Sequence, residues 1–260
     1  MIPSIVGEWT KARTLASTGW ILLFVVVSMA GLALAVTGTF RLDDCAAPCL
    51  PDTTKLSLSG VRLAQVGAVL IGVLVVTSDY ASRTIVPTLM AVPRRSSVVL
   101  GKLSVVAVLT FAGGAVGVAS AVCIAHFVLP SRGFGSANAY VAHSLLHDLT
   151  QRAAVGTVAY LVLVAVLSSG VALLVRDTAG AVTATLGVLF LTAFLGLFVS
   201  DPVWQDRIQR YSPMDAGLAI QWTRDLGALH IGQWAGLGLL TGYAVVAVAA
   251  GGLSFARRDA

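Results

Sequence analysis

Charge is what this sequence has least of. Asp, Glu, Lys and Arg make up 11% of its 260 residues, against about 25% in an ordinary soluble domain. Glutamate occurs once, as Glu8, and lysine three times, as Lys11, Lys55 and Lys102. No carboxylate, lysine or arginine falls deep in an apolar run. Ion- and proton-coupled transporters keep such a group near the membrane midplane, so its lack speaks against secondary transport. It speaks equally against an intramembrane hydrolase built on paired acids. A phosphate-binding loop is missing too. Gly101-Lys102 sits where one would end, but Ser96 stands in place of the first glycine and Leu103 in place of the Mg²⁺-binding Ser or Thr. No catalytic, cofactor or metal site is therefore expected in this chain. With a net charge of only +5 and no soluble basic face, nucleic acid is not an expected partner. Cysteine is scarce as well. Cys45 and Cys49 share a polar stretch and leave two readings open, a disulfide in an oxidising compartment or two free thiols.

What is abundant is apolar sequence: 57% of residues, with a mean hydropathy of +0.89. The expected class is an all-α polytopic membrane protein, one membrane unit over residues 1–260. Six spans are expected, about Trp20–Phe40, Leu58–Ser78, Leu103–Val128, Ala153–Val175, Thr178–Ser200 and a last one within Leu226–Ala256. That last run is 31 residues long, beyond the ~20 a span needs. It is either tilted or begins as a separate half-buried helix. Glycine pairs Gly113/Gly117, Gly232/Gly236 and Gly238/Gly242 mark close-packing faces. Ahead of the first span, Ile5, Trp9, Ala12 and Ala16 share a helical face. Residues 1–18 read as an interfacial helix, or else as the frayed first turn of span one.

The stretch from Asp79 to Lys102 breaks the apolar pattern between spans two and three. Asp79, Arg83, Arg94, Arg95 and Lys102 cannot cross a bilayer at about 2.5–3.5 kcal/mol each. Ala81, Ile85, Leu89 and Val92 nevertheless recur at helical spacing. Thr84 can cap, Pro87 fits the first turn, and Pro93 with the arginine pair closes the segment. The expectation is a short amphipathic helix outside the membrane that wants a partner surface.

Asp-Tyr-x-x-x-Thr-Ile-x-x-Thr-Leu-x-x-x-Pro-Arg-Arg, followed by Lys102, resembles the first cytoplasmic loop of type-2 ABC exporter permeases. Glu8-Trp9-Thr10-Lys11-x-Arg13-Thr14 resembles that family's interfacial helix, and Tyr211-Ser-Pro-Met-Asp-Ala-Gly217 its external segment before the last span. Two positions depart: the family often has Glu where Asp79 stands and Gly where Arg83 stands. The resemblance implies a coupling helix that docks on a separate ATPase. Asp79, Tyr80, Arg83, Thr84, Ile85, Thr88, Leu89, Met90, Pro93, Arg94, Arg95 and Lys102 would form that coupling element. Ile85, Leu89 and Met90 would be its anchors, and Asp79, Arg94, Arg95 and Lys102 its rim charges. It also implies two ATPase copies holding ATP and Mg²⁺, a second permease copy or a related permease, and lipid around the spans.

For residues 201–225 the resemblance implies paired short helices re-entering the outer leaflet as an external gate, with Trp204, Tyr211, Pro213, Met214, Gly217 and Trp222. An external loop with a surface helix is the competing reading. Six spans put both termini on one side, and basic density over the shorter loops favours the cytoplasm. Arginine outnumbers lysine 14 to 3, which points to a GC-rich bacterial source and so to a bacterial plasma membrane. His143 and His147, at i and i+4, have zinc spacing on a helix, but an amphipathic surface helix explains them as well. His126 and His230 read as packing histidines near span ends.

The function expected from these features is the permease subunit of an ATP-driven exporter of an amphipathic or lipid-like substrate. The alternative is a membrane anchor or regulatory subunit that transports nothing.

Overall fold

The computed structural model describes residues 2–14, 16–39, 52–81, 95–134, 148–199, 201–224 and 226–258. Among these the chain is all-α. Six helices are long and apolar enough to cross a membrane, and the protein is a multi-pass membrane protein. Helix α1 (Ile2–Thr14) is separate from the first span, α2 (Ala16–Thr39). After a short α3 (Thr53–Ser57) come α4 (Val61–Ala81), α5 (Arg95–Ser131) and α6 (Asp148–Val175). The fifth span is composite: α7 (Thr178–Leu186), a π turn (Gly187–Leu191) and α8 (Thr192–Phe198). Two short helices, α9 (Pro202–Tyr211) and α10 (Pro213–Leu218), precede α11 (Gln233–Arg258).

The helix starts follow local chemistry. The Asp52 carboxylate accepts from the amides of Thr54 and Lys55 at the head of α3. Asp177 accepts from Gly180 N at 2.6 Å. Asp201 and Ser212 cap α9 and α10, each with proline as the next residue. A side-chain acceptor followed by a ring that pre-sets φ is the strongest short-range start signal available.

Three boundaries differ from the sequence reading. α5 begins at Arg95, so the second arginine of the pair opens the third span instead of closing the preceding segment. α6 begins at Asp148 and takes Arg152 into the helix, because Arg152 Nη2 finds the Trp222 carbonyl at 3.0 Å. The long last run resolves in favour of a separate start: a 3₁₀ turn at Leu226–Ala228, then α11 from Gln233.

α6 is the central helix, packed against α4, α5, α10 and α11. Its inward side chains, Tyr160, Leu161, Val164 and Ala165 among them, are fully buried. Close approach there depends on glycine. A Cβ on Gly72 would lie 2.2 Å from the Ala165 carbonyl oxygen, and one on Gly170 would lie 2.5 Å from Ala247 C. Of the expected glycine pairs, Gly113 and Gly117 do pack, against Leu22 and Met29. Gly236 packs against Ala216, whereas Gly238 and Gly242 face open space. Interhelical contact without a hydrophobic drive favours such small residues.

Candidate functional site

At the end of the bundle that carries α1, the chain's one glutamate and two of its three lysines meet one aspartate. Lys11 Nζ lies 3.1 Å from Glu8 Oε1 and 3.1 Å from Asp79 Oδ1. Lys102 Nζ lies 3.0 Å from Glu8 Oε2 and 2.6 Å from Asp79 Oδ2. Lys102 also donates to the Val75 carbonyl at 2.9 Å. Two cations and two anions alternate around a closed, neutral ring. Three members are buried: Glu8 at 6%, Asp79 at 2% and Lys102 at 4% exposure. Each carboxylate oxygen faces one ammonium, which is the condition under which burying charge is tolerable. Burial pushes the Lys11 ammonium down, but the hydrogen bond to Asp79 and the Glu8 charge outweigh it and hold the group above the ordinary lysine range.

Among the described side chains of α1, Glu8 and Ala12 are buried and Trp9 is exposed. The ring corrects one expectation. Asp79 and Lys102, expected as rim charges toward a partner, are instead used inside the chain. Asp79 ends α4 and Lys102 lies in the first turns of α5, so the ring ties both flanks of residues 82–94 to α1. Next to it, the Arg176 guanidinium lies 5.7 Å from the centre of the Tyr80 ring and donates to the Ser254 carbonyl at 3.1 Å. Arg176 has φ 62°, a left-handed conformation that lets the α6–α7 turn be two residues long. Arg83, Thr84, Ile85, Thr88, Leu89, Met90, Pro93 and Arg94 lie outside the described residues, as do Cys45, Cys49, His143 and His147. Arg95 is described only as the first residue of α5.

The residues expected at an external gate separate into two groups at the other end. Trp204 and Tyr211, on α9, are each 57% exposed. Pro213, Met214 and Gly217, on α10, are buried. A Cβ on Gly217 would meet the Tyr160 ring at 2.6 Å, and one on Gly236 would lie 1.9 Å from the Ala216 carbonyl oxygen. Tyr160 is eight residues beyond Arg152 in α6, about 12 Å along the helix axis. α10 therefore reaches well past the last charged residue of α6. Tyr160 Oη donates to Gln65 Oε1, and Gln65 Nε2 lies 3.3 Å from Met214 Sδ. Trp222 follows α10, and its carbonyl accepts from Arg152 and from Gln233 at 2.6 Å. Asp52 fastens this region to α3 by accepting from Thr223 N at 2.6 Å, Thr223 Oγ1 at 2.7 Å and Arg224 N at 3.1 Å.

The histidines differ from expectation. His126 is exposed and edge-on to Phe127, and His230 is exposed with Nε2 3.7 Å from Asp206. Cys123 is a free, exposed thiol. Among the described residues no group of three or more His, Cys, Asp or Glu could hold a metal ion. The sequence reading missed Gln65, Tyr160 and the role of Glu8. The signal for Glu8 was present, since a lone glutamate near lysine in a charge-poor chain needs a partner. No family model matches the chain, and no curated protein matches it.

Proposed function

We propose that the chain is the membrane-spanning permease subunit of a type-2 ABC exporter, powered by a separate ATPase that holds ATP and Mg²⁺. The observation that carries this reading is the charge ring. It clamps both flanks of residues 82–94 to α1, so a push on that segment would move α1, α4 and α5 together. A loop built to receive force from a partner needs such a rigid seat, whereas a passive connection between spans does not. The inserted α10 supports the same reading, as an element that closes the far end of the pathway. In this arrangement residues 82–94 face the cytoplasm, both termini lie inside a bacterial plasma membrane, and a second permease copy or a related permease completes the pathway. Ile85, Leu89 and Met90 anchor in the ATPase groove, and Arg94 and Arg95 add exposed charge pairs of little individual weight.

The experiment is Leu89→Asp in cells that express the chain with its ATPase. Copurification and ATP-driven export should both fall. Unchanged copurification removes the docking claim, and intact copurification without any export from vesicles favours a non-transporting anchor.

A further inference from the structure

Near α10 the fold leaves a cavity of about 880 Å³, within the range of ligand sites. Its walls differ in chemistry. Phe190 and Phe194 of the composite fifth span and Leu218 of α10 form an apolar side, while Lys55, Arg62, Arg224, Asp52 and Asp215 line the rest. Asp52 spends its oxygens on five donors, the amides of Thr54, Lys55, Thr223 and Arg224 and the Thr223 hydroxyl, none of them the Lys55 ammonium or the Arg62 guanidinium. Among the described residues neither Lys55 nor Arg62 has a carboxylate within ion-pair distance. Lys55 Nζ instead sits 3.7 Å from the centre of the Trp222 ring. Burial pushes the Lys55 ammonium below the ordinary lysine value, and the charge of Arg62 adds to that. Two like charges held together beside an apolar wall are costly until an anion joins them.

We propose that this cavity binds an amphiphile with an anionic head of the phosphate type, its head on Lys55 and Arg62 and its chain along Phe190, Phe194 and Leu218. The inference deepens the exporter reading and rests on it for where the occupant goes, because a cavity bordered by α10 lies at the far end of the pathway. Guanidinium supplies a planar fork for phosphate oxygens and ammonium a point charge. Phe194 on that wall is 55% exposed, which leaves a way in for a chain from the side of the bundle.

The test uses the full chain in non-ionic detergent, titrated with dihexanoyl phosphatidate, dihexanoylglycerol and inorganic phosphate. Phosphatidate should bind, and the diacylglycerol and inorganic phosphate should each bind at least about tenfold more weakly. Lys55→Gln with Arg62→Gln should lose at least about tenfold in phosphatidate affinity, and Lys55→Arg with Arg62→Lys, which keeps both charges but moves the fork, should lose less. Equal binding of diacylglycerol, or equal loss in both double variants, overturns the assignment of the head to these two charges. Unchanged binding in the glutamine variant overturns the site. Mass spectrometry of extracted lipid separates the two sources of such an anion. Phospholipid that copurifies with the wild type and is lost from the glutamine variant marks a resident bilayer lipid. A cavity empty as purified that still takes the probe marks a transported amphiphile. None of these measurements needs an ATPase, so failure of docking in Leu89→Asp and failure of this site are read separately.

Discussion

Lys102 Nζ stands 2.6 Å from Asp79 Oδ2, with both side chains almost wholly buried. The pair joins the end of α4 to the start of α5, on either side of the segment proposed to receive force. Lys102→Met would leave two carboxylates facing only Lys11. Removing one partner of a buried pair costs about 3–5 kcal/mol, mostly through the uncompensated charge left behind. Thermal unfolding in detergent should show a large loss of stability. Lys102→Met combined with Asp79→Asn should recover part of it, because neutrality returns. A double variant as unstable as the sum of the singles would mean that the two groups do not interact.

Lys11 gives the ring a pH dependence with a definite sign. Its folded value lies above the unfolded lysine value of 10.5. The stabilisation is therefore fully present below that value and is lost as pH rises through the higher folded one. Neutral to mildly alkaline buffer should leave α1 docked, and strongly alkaline buffer should release it. Hydrogen exchange of α1 amides against pH reads this directly. In Lys11→Met the alkaline release from this group should vanish.

Two glycines of α11 should behave oppositely. Gly236→Ala drives a methyl into the Ala216 carbonyl, which is backbone and cannot step aside. The expected loss is about 1–3 kcal/mol or more, with weakened packing of α10. Gly238→Ala meets nothing within 4 Å and should gain about 0.5–1 kcal/mol from helix propensity. Comparing the two unfolding curves checks both.

Tyr160→Phe removes the donor that Gln65 Oε1 uses. Hydrogen bonds between membrane helices average about 0.6 kcal/mol, and a buried group left unpaired costs about 1–3 kcal/mol. A loss near 1 kcal/mol is expected. Restoring it with Gln65→Leu in the same chain would assign the cost to the stranded amide.

The spans were legible in the sequence because hydropathy and length are properties of each segment alone. The caps at Asp52, Asp177, Asp201 and Ser212 are equally local, but the sequence reading did not use them. The charge ring was only half legible. Glu8, Lys11, Asp79 and Lys102 are conspicuous in a chain this poor in charge, but their partners lie across three elements and no local period connects them. Spacing grouped Ile5, Trp9, Ala12 and Ala16 on one helical face, and it gave no sign that Glu8 would be buried by tertiary pairing. The cavity beside α10 was less legible still. Lys55, Arg62, Asp215 and Trp222 come from separate stretches, and only the fold of α10 against α6 and α11 brings them together.

The π turn at Gly187–Leu191 adds one residue to the fifth span without breaking it. One residue is about 100° of rotation, so the faces of α7 and α8 are out of phase. That offset brings Thr192 Oγ1 to 3.2 Å from Ser212 Oγ, at the joint between α9 and α10. Deleting a single residue from Gly187–Leu191 would let the span relax to an unbroken α-helix. The cost would fall in azimuth, not in hydrophobicity. Thr192 would swing off the joint and Phe194 off the cavity wall, although no side chain at either site had been altered.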